Sequence, residues 1–138
     1  MDLAVKKKLE NAFYNYEKNV QEAAAQTQVI DSGLVALYGG VKVQGKNGNG
    51  RETAIIKAID KECELWRWCY VVEKTLEYFY IGGKDKFIRC RYFKRYDEKF
   101  TCQVCHISRS TYYYWLDDIL MVALKWAKMY GVIGEENG

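Results

Sequence analysis

Apolar residues recur along this chain at spacings of three and four, and that period predicts helices almost throughout. Leu9, Phe13, Tyr16, Val20, Ala23 and Thr27 form one seam, which places an amphipathic amino-terminal helix at residues 2–30. The seam weakens to alanine and threonine, too little for a stable isolated coiled coil. Between residues 31 and 50 the period is lost. Gly33, Gly39, Gly40, Gly45, Gly48 and Gly50, with Asn47 and Asn49, predict a flexible connector there, with Val41 and Val43 as candidates for a short hairpin. Helical spacing resumes over 51–80 through Ile55, Ala58, Ile59, Leu65, Trp66, Cys69, Val72, Leu76 and Phe79. Gly82-Gly83 can end that helix by taking positive φ.

Lys84 to Tyr96 predicts a further helix, mixed basic and aromatic. Asp97 suits the N-cap of a short helix ending near Cys105. Ser108 suits the N-cap of the next, where its hydroxyl can accept an orphan amide, and Ile107 before it can pack as a staple. Tyr112, Leu116, Ile119, Leu120, Ala123, Leu124 and Ala127 then mark the apolar face of a long helix from Arg109 to about Tyr130, with Gly131 as its C′ residue. A short helix, a three-residue turn and a capped second helix are the parts of a helix-turn-helix, here at about residues 97–131. The expected organisation is all-α: an amino-terminal helix (1–30), a connector (31–50) and a helical DNA-binding domain (51–138).

Tyr112-Tyr113-Tyr114-Trp115 adds a geometric constraint. Successive helical residues point about 100° apart, so four rings in a row cannot all be core. Tyr112 and Trp115 fit the buried face. Tyr113 and Tyr114 then point outward with Arg109, Ser110 and Asp117. Outward aromatics beside an arginine at the start of a recognition helix suit base-edge, sugar and phosphate contacts. The competing reading is a protein contact through the same aromatic face.

Composition sharpens this picture. The 138 residues are 49% hydrophobic and 15% aromatic, which fits one domain with a modest core and excludes a disordered chain. Proline is absent, so nothing forbids long helices. The longest apolar run, Ile119 to Leu124, is far short of the ~20 residues that span a bilayer. The start, Met1 to Lys8, has no apolar stretch after its lysines, so no secretory signal is expected. The five cysteines (63, 69, 90, 102 and 105) are accordingly expected as thiols in a reducing cytoplasm.

The net charge of +3 is unevenly spread. Residues 1–83 are neutral and residues 110–138 carry −2, whereas 84–109 carry +5. The excess positive charge therefore lies in and just before the helix-turn-helix, where phosphate binding would need it. Arg91, Lys94 and Arg95 share one face of a continuous helix through spacings of three and four, and with Lys99 they read as a grip on the DNA backbone.

Other motifs carry less. Cys102-Gln103-Val104-Cys105-His106 matches the spacing of covalent haem attachment. That chemistry occurs outside the cytoplasm. A zinc site would have to recruit Cys90 and His106 at irregular spacing, and a redox pair would lack its βαβ setting. Two small thiols packed within a helical pair remain, and no metal or cofactor is expected. His106 reads as a surface residue or phosphate contact; as the partner of a nucleophilic Cys63 or Cys90 it would lack an orienting group. The run Gly45 to Gly50 lacks the Gly-Lys-Ser/Thr ending of a phosphate loop. Asp117 and Asp118 are adjacent and diverge on a helix. No enzyme constellation results.

Arg89-Cys90-Arg91-Tyr92-Phe93, followed by Ile107-Ser108-Arg109-Ser110-Thr111-Tyr112-Tyr113-Tyr114, resembles the phage transcriptional regulators of the ArpU/RinA type over roughly residues 52–131. The resemblance implies control of late, packaging or lysis genes in phages of Gram-positive bacteria. It also implies a DNA-binding part similar to the fourth region of bacterial sigma factors, in which Ile-Ser-x-x-Thr opens the recognition helix. Carried over by position, Ser108 caps that helix, and Arg109, Ser110, Thr111, Tyr113 and Tyr114 face DNA. The chain departs from the pattern at Gln103-Val104-Cys105, where such motifs usually carry Glu-Ile-Ala.

The expectation is therefore a sequence-specific, non-enzymatic activator of phage or prophage transcription in the cytoplasm of a bacterial host. Its recognition set is Arg109, Ser110, Thr111, Tyr113, Tyr114 and Asp117. Its phosphate set is Arg91, Lys94, Arg95, Lys99, His106 and Ser108. The implied partners are double-stranded DNA, host RNA polymerase and a second copy of the chain, with no membrane. The alternatives are a packaging protein of the terminase small-subunit type and a helical protein–protein interaction module.

Overall fold

Three helices begin where a side-chain oxygen, from Asp2, Asp97 or Ser108, takes an orphan amide, and two end at a left-handed residue, His106 or Gly131. The computed structural model describes residues 1–38 and 48–134. Its elements are α1 (Leu3–Tyr14), α2 (Tyr16–Tyr38), α3 (Gly48–Phe79), α4 (Lys84–Ile88), a π-helical segment (Arg89–Phe93), α5 (Glu98–Cys105) and α6 (Arg109–Met129). No strand occurs among the described residues, so the protein is all-α. None of its described helices is long and apolar enough to cross a membrane. Asp97 accepts the Phe100 amide at 2.7 Å and Ser108 the Thr111 amide at 3.1 Å, as their cap positions require. Gly131, at φ 76°, ends α6. Its amide reaches the Lys128 carbonyl at 3.1 Å and that of Val132 reaches Ala127 at 3.0 Å, the paired bonds of a Schellman motif.

The chain divides into two compact units. One comprises Met1–Tyr16 and the residues from Arg67 onward; the other is Glu17–Trp66. The division falls inside the expected amino-terminal helix, which is interrupted at Asn15. Leu9 and Phe13 accordingly belong to the same core as the carboxy-terminal helices, and α1 packs on α6 and on the π-helical segment. That core is closed by Val71, Val72 and Phe79 of α3, Phe87 and Ile88 of α4, Tyr92, and the α6 face Tyr112, Leu116, Ile119, Leu120, Ala123 and Ala127. Phe13 stacks on Tyr92 with ring centroids 5.0 Å apart, and Phe87 meets Tyr112 edge-on at the same distance. Tyr92 and Tyr112 are thus core residues.

The second unit is a hairpin of α2 on the first half of α3. Glu22 pairs with Lys61 at 3.0 Å, while Gly33 lies against Ile55, so the two helices run antiparallel. A Cβ on Gly33 would approach the Ile55 side chain to 3.2 Å. Gly33 therefore permits close helix packing, and α2 runs through it to Tyr38 where a connector was expected from residue 31. The proposed Val41/Val43 hairpin lies outside the described residues, as do residues 45–47 of the glycine-rich run; Gly48 already begins α3.

Residues 84–96 do not form the one continuous helix expected from their sequence but are divided. α4 stops at Ile88, the π-helical segment follows with Lys94 N–H donating to Arg89 O at 2.9 Å, and Arg95 leaves the helix at φ 55°. The wider π turn shifts the phase of every residue behind it. The three-and-four spacing of Arg91, Lys94 and Arg95 no longer defines a common face.

Candidate nucleic-acid interface

α5 and α6 are joined through His106, Ile107 and Ser108, and the backbone chemistry of those three residues sets the arrangement. His106 adopts the left-handed conformation, φ 57° and ψ 46°. Its amide donates to Gln103 O at 3.4 Å and that of Ile107 to Cys102 O at 3.0 Å, a second Schellman closure. A histidine here forgoes the conformational ease of glycine, at a cost of about 1 kcal/mol or more. Ile107 is half-buried and packs against the core, so the chain enters α6 at a fixed angle. Ser108 then caps α6.

On α6 the expected helical phase holds. Tyr112 is 2% exposed, whereas Tyr113 is 45% and Tyr114 72% exposed. Arg109, Ser110 and Asp117 are exposed on the outward side, and Trp115 is half-buried. Thr111 differs from the rest of the proposed reading set. It is half-buried, and its Oγ1 accepts a hydrogen bond from the Ser108 hydroxyl at 3.0 Å, so its side chain completes the cap.

A residue absent from the sequence-level site organises this surface. Glu98, in the first turn of α5, receives Arg109 Nε at 2.9 Å on Oε1 and the Tyr113 hydroxyl at 2.8 Å on Oε2. The Arg109 guanidinium lies 6.0 Å from the Tyr113 ring centroid. Hydrogen bonding to Tyr113, then the Glu98 charge, raises the Arg109 pKa. Lys99 joins Glu98 and Arg109 in lining a shallow groove between the two helices, floored by Cys102, Gln103 and Ile107. The only advance signal for Glu98 was its place as an acidic residue at a helix start, which reads as ordinary dipole compensation.

The basic residues separate into two sets. Arg91 is turned inward. Its Nη2 meets Glu10 Oε2 at 2.8 Å, its Nη1 donates to the Tyr112 hydroxyl, and the Tyr92 hydroxyl donates to the same Glu10 oxygen at 3.0 Å. Arg91 and Glu10 side chains are 20% and 17% exposed, so this is an internal ion pair tying the π-helical segment to α1 and α6. Burial, which Arg91 partly offsets, pushes the Tyr92 hydroxyl well above its ordinary pKa. Arg91 is thus committed to the fold, which corrects its assignment to phosphate. Arg95 is exposed but donates to the Tyr14 carbonyl at 3.2 Å, at the end of α1. Lys84 pairs with Asp118 at 3.0 Å. Among the described residues Lys86, Arg89, Lys94 and Lys99 are exposed and have no carboxylate within ion-pair distance; His106 and Ser108 are exposed beside them in sequence.

Cys69 and Cys90 are buried and Cys63 is exposed. Cys102 and Cys105 are half-buried against the core, and no cluster of three or more metal-ligating groups occurs among the described residues. Burial, then the neighbouring Cys90, pushes the Cys105 thiol up to about 11. No known protein family, characterised protein or solved structure matches this chain.

Proposed function

We propose that this protein binds double-stranded DNA through the first turns of α6 and regulates phage or prophage transcription by doing so. The observation that supports the binding is the division of side chains along α6. Tyr112, Leu116 and Ile119 fix the helix in the core, leaving Arg109, Ser110, Tyr113, Tyr114 and Asp117 exposed at its amino-terminal end. α5 precedes that end through a turn closed by two backbone hydrogen bonds, which supports reading the pair as a helix-turn-helix. Exposed Lys94 and Lys99, preceding and within α5, supply cations for backbone contacts. The assignment to phage gene control rests on the sequence resemblance.

A helix can enter the major groove, and an arginine in its first turn can place two donors on guanine O6 and N7. Tyrosines at the flanks can meet sugar, phosphate or thymine methyl groups. The test is selection from a randomised duplex library with the full chain, followed by titration of the enriched and a random duplex. Enrichment of a defined sequence is expected, with Arg109→Ala weakening the enriched duplex more than the random one. Failure to enrich any duplex overturns the reading and leaves the exposed Tyr113–Tyr114 face as a protein contact.

A further inference from the structure

Arginines at a helix start serve DNA binding in two different ways. A free guanidinium clings to phosphate and adds affinity for every sequence. A guanidinium held in place reads a base, because the bidentate pair needs fixed geometry. Which of the two Arg109 performs depends on what holds it.

We infer that Glu98 is a positioning residue that makes Arg109 a guanine reader and keeps it off the phosphate backbone. The inference rests on the DNA-binding reading of α6 and deepens it. Glu98 takes the Nε of Arg109 at 2.9 Å, which leaves the two terminal nitrogens, Nη1 and Nη2, as the outward edge of the guanidinium. Those two nitrogens are the pair that can meet O6 and N7 end-on. The second carboxylate oxygen is held by the Tyr113 hydroxyl at 2.8 Å, so the carboxylate cannot easily rotate away. Glu98 is 33% exposed and Arg109 80%, which puts the anchor in the groove and the reading edge in solvent.

Charge works in the same direction. A carboxylate 2.9 Å from the guanidinium repels a phosphate approaching the same site. A guanine edge presents neutral acceptors and suffers far less. Glu98 thus lowers affinity for DNA in general and preserves it where a guanine lies opposite Arg109. One residue of α5 sets the specificity of a residue on α6, and the rigid turn through His106 fixes the distance between them.

The experiment compares the full chain with Glu98→Ala and Glu98→Gln. Each is titrated against the duplex selected by the native protein and against random duplex, over a range of salt concentrations. Glu98→Ala is expected to bind random duplex more tightly, with a log–log salt slope steeper by about 0.9, as one more phosphate is neutralised. Discrimination for the selected duplex should fall by about tenfold, within the range of one lost bidentate pair. Glu98→Gln retains an oxygen for Arg109 Nε and should keep more of the discrimination than Glu98→Ala. A merely structural role would weaken both duplexes together; that result, or an unchanged ratio with an unchanged slope, overturns the inference. If the native chain selects no duplex at all, the DNA reading itself falls first, and this inference with it.

Discussion

Arg91 offers the clearest separation of folding from binding. In the sequence it belongs to a basic run; in the structure it meets Glu10 at 2.8 Å, with both side chains about four-fifths buried. At an effective dielectric of about 20 that pair attracts by roughly 6 kcal/mol before desolvation is counted. Much of this is offset by taking both charges out of water, so the pair as a whole contributes little. Breaking it is another matter. Arg91→Met leaves the Glu10 carboxylate with only the Tyr92 hydroxyl, at 3.0 Å, and strands the Tyr112 hydroxyl. Removing one member of a buried pair costs about 3–5 kcal/mol, and the residual exposure here places the expected loss near the lower end, about 3 kcal/mol. For a chain of this length that lowers Tm by about 12 °C. Calorimetry or circular dichroism reads the shift. Glu10→Leu combined with Arg91→Met should recover most of it, because two apolar side chains of similar volume replace the pair. The salt dependence of DNA binding should stay unchanged in the Arg91 variant, measured below its Tm. An Arg91→Met protein that melts normally and binds DNA with a flattened salt slope would refute the internal role.

Tyr112→Ala should lower stability by about 3–5 kcal/mol, since the ring is 2% exposed and packs on Phe87; an unchanged Tm would mean the phase of α6 is wrong. Stability should also fall in alkali. Burial, with Glu73 close by, raises the Tyr16 hydroxyl to about 12 and the Cys69 thiol to about 11, and Cys105 rises likewise to about 11. The folded state therefore keeps these protons after the unfolded chain has lost them, so their contribution is whole below pH about 9 and is lost between about 9 and 12. Tm measured across that range should decline steadily, and a flat profile would contradict the burial of these groups.

Local chemistry was legible in the sequence to the extent that it was local. Asp97, Ser108 and Gly131 announced helix ends because a cap or a left-handed residue acts within one turn. The phase of α6 followed from period alone, so Tyr112 was separable from Tyr113 and Tyr114. What failed depended on partners distant in sequence. Gly33 reads as a breaker until Ile55 is seen against it. Arg91 reads as a surface cation until Glu10, 81 residues away, is placed beside it. The π turn at Arg89–Phe93 has no sequence period of its own, and it moved the basic residues off their shared face. Glu98 shows no sign of its role in the sequence for the same reason: its partners, Arg109 and Tyr113, sit on the next helix.

Titration of the native chain with a duplex of about twenty base pairs, from low to high salt, decides whether DNA is the partner of α5 and α6. Arg95 is exposed without an ion pair but is held by the Tyr14 carbonyl at 3.2 Å; Lys86, Arg89, Lys94 and Lys99 are the other exposed cations of the basic segment that form no ion pair among the described residues. If all four meet phosphates, log affinity should fall against log salt with a slope of about −3.6. Lys94→Ala with Lys99→Ala should reduce that slope to about half. No binding at low salt, or affinity that does not change with salt, would contradict DNA as the partner of this surface.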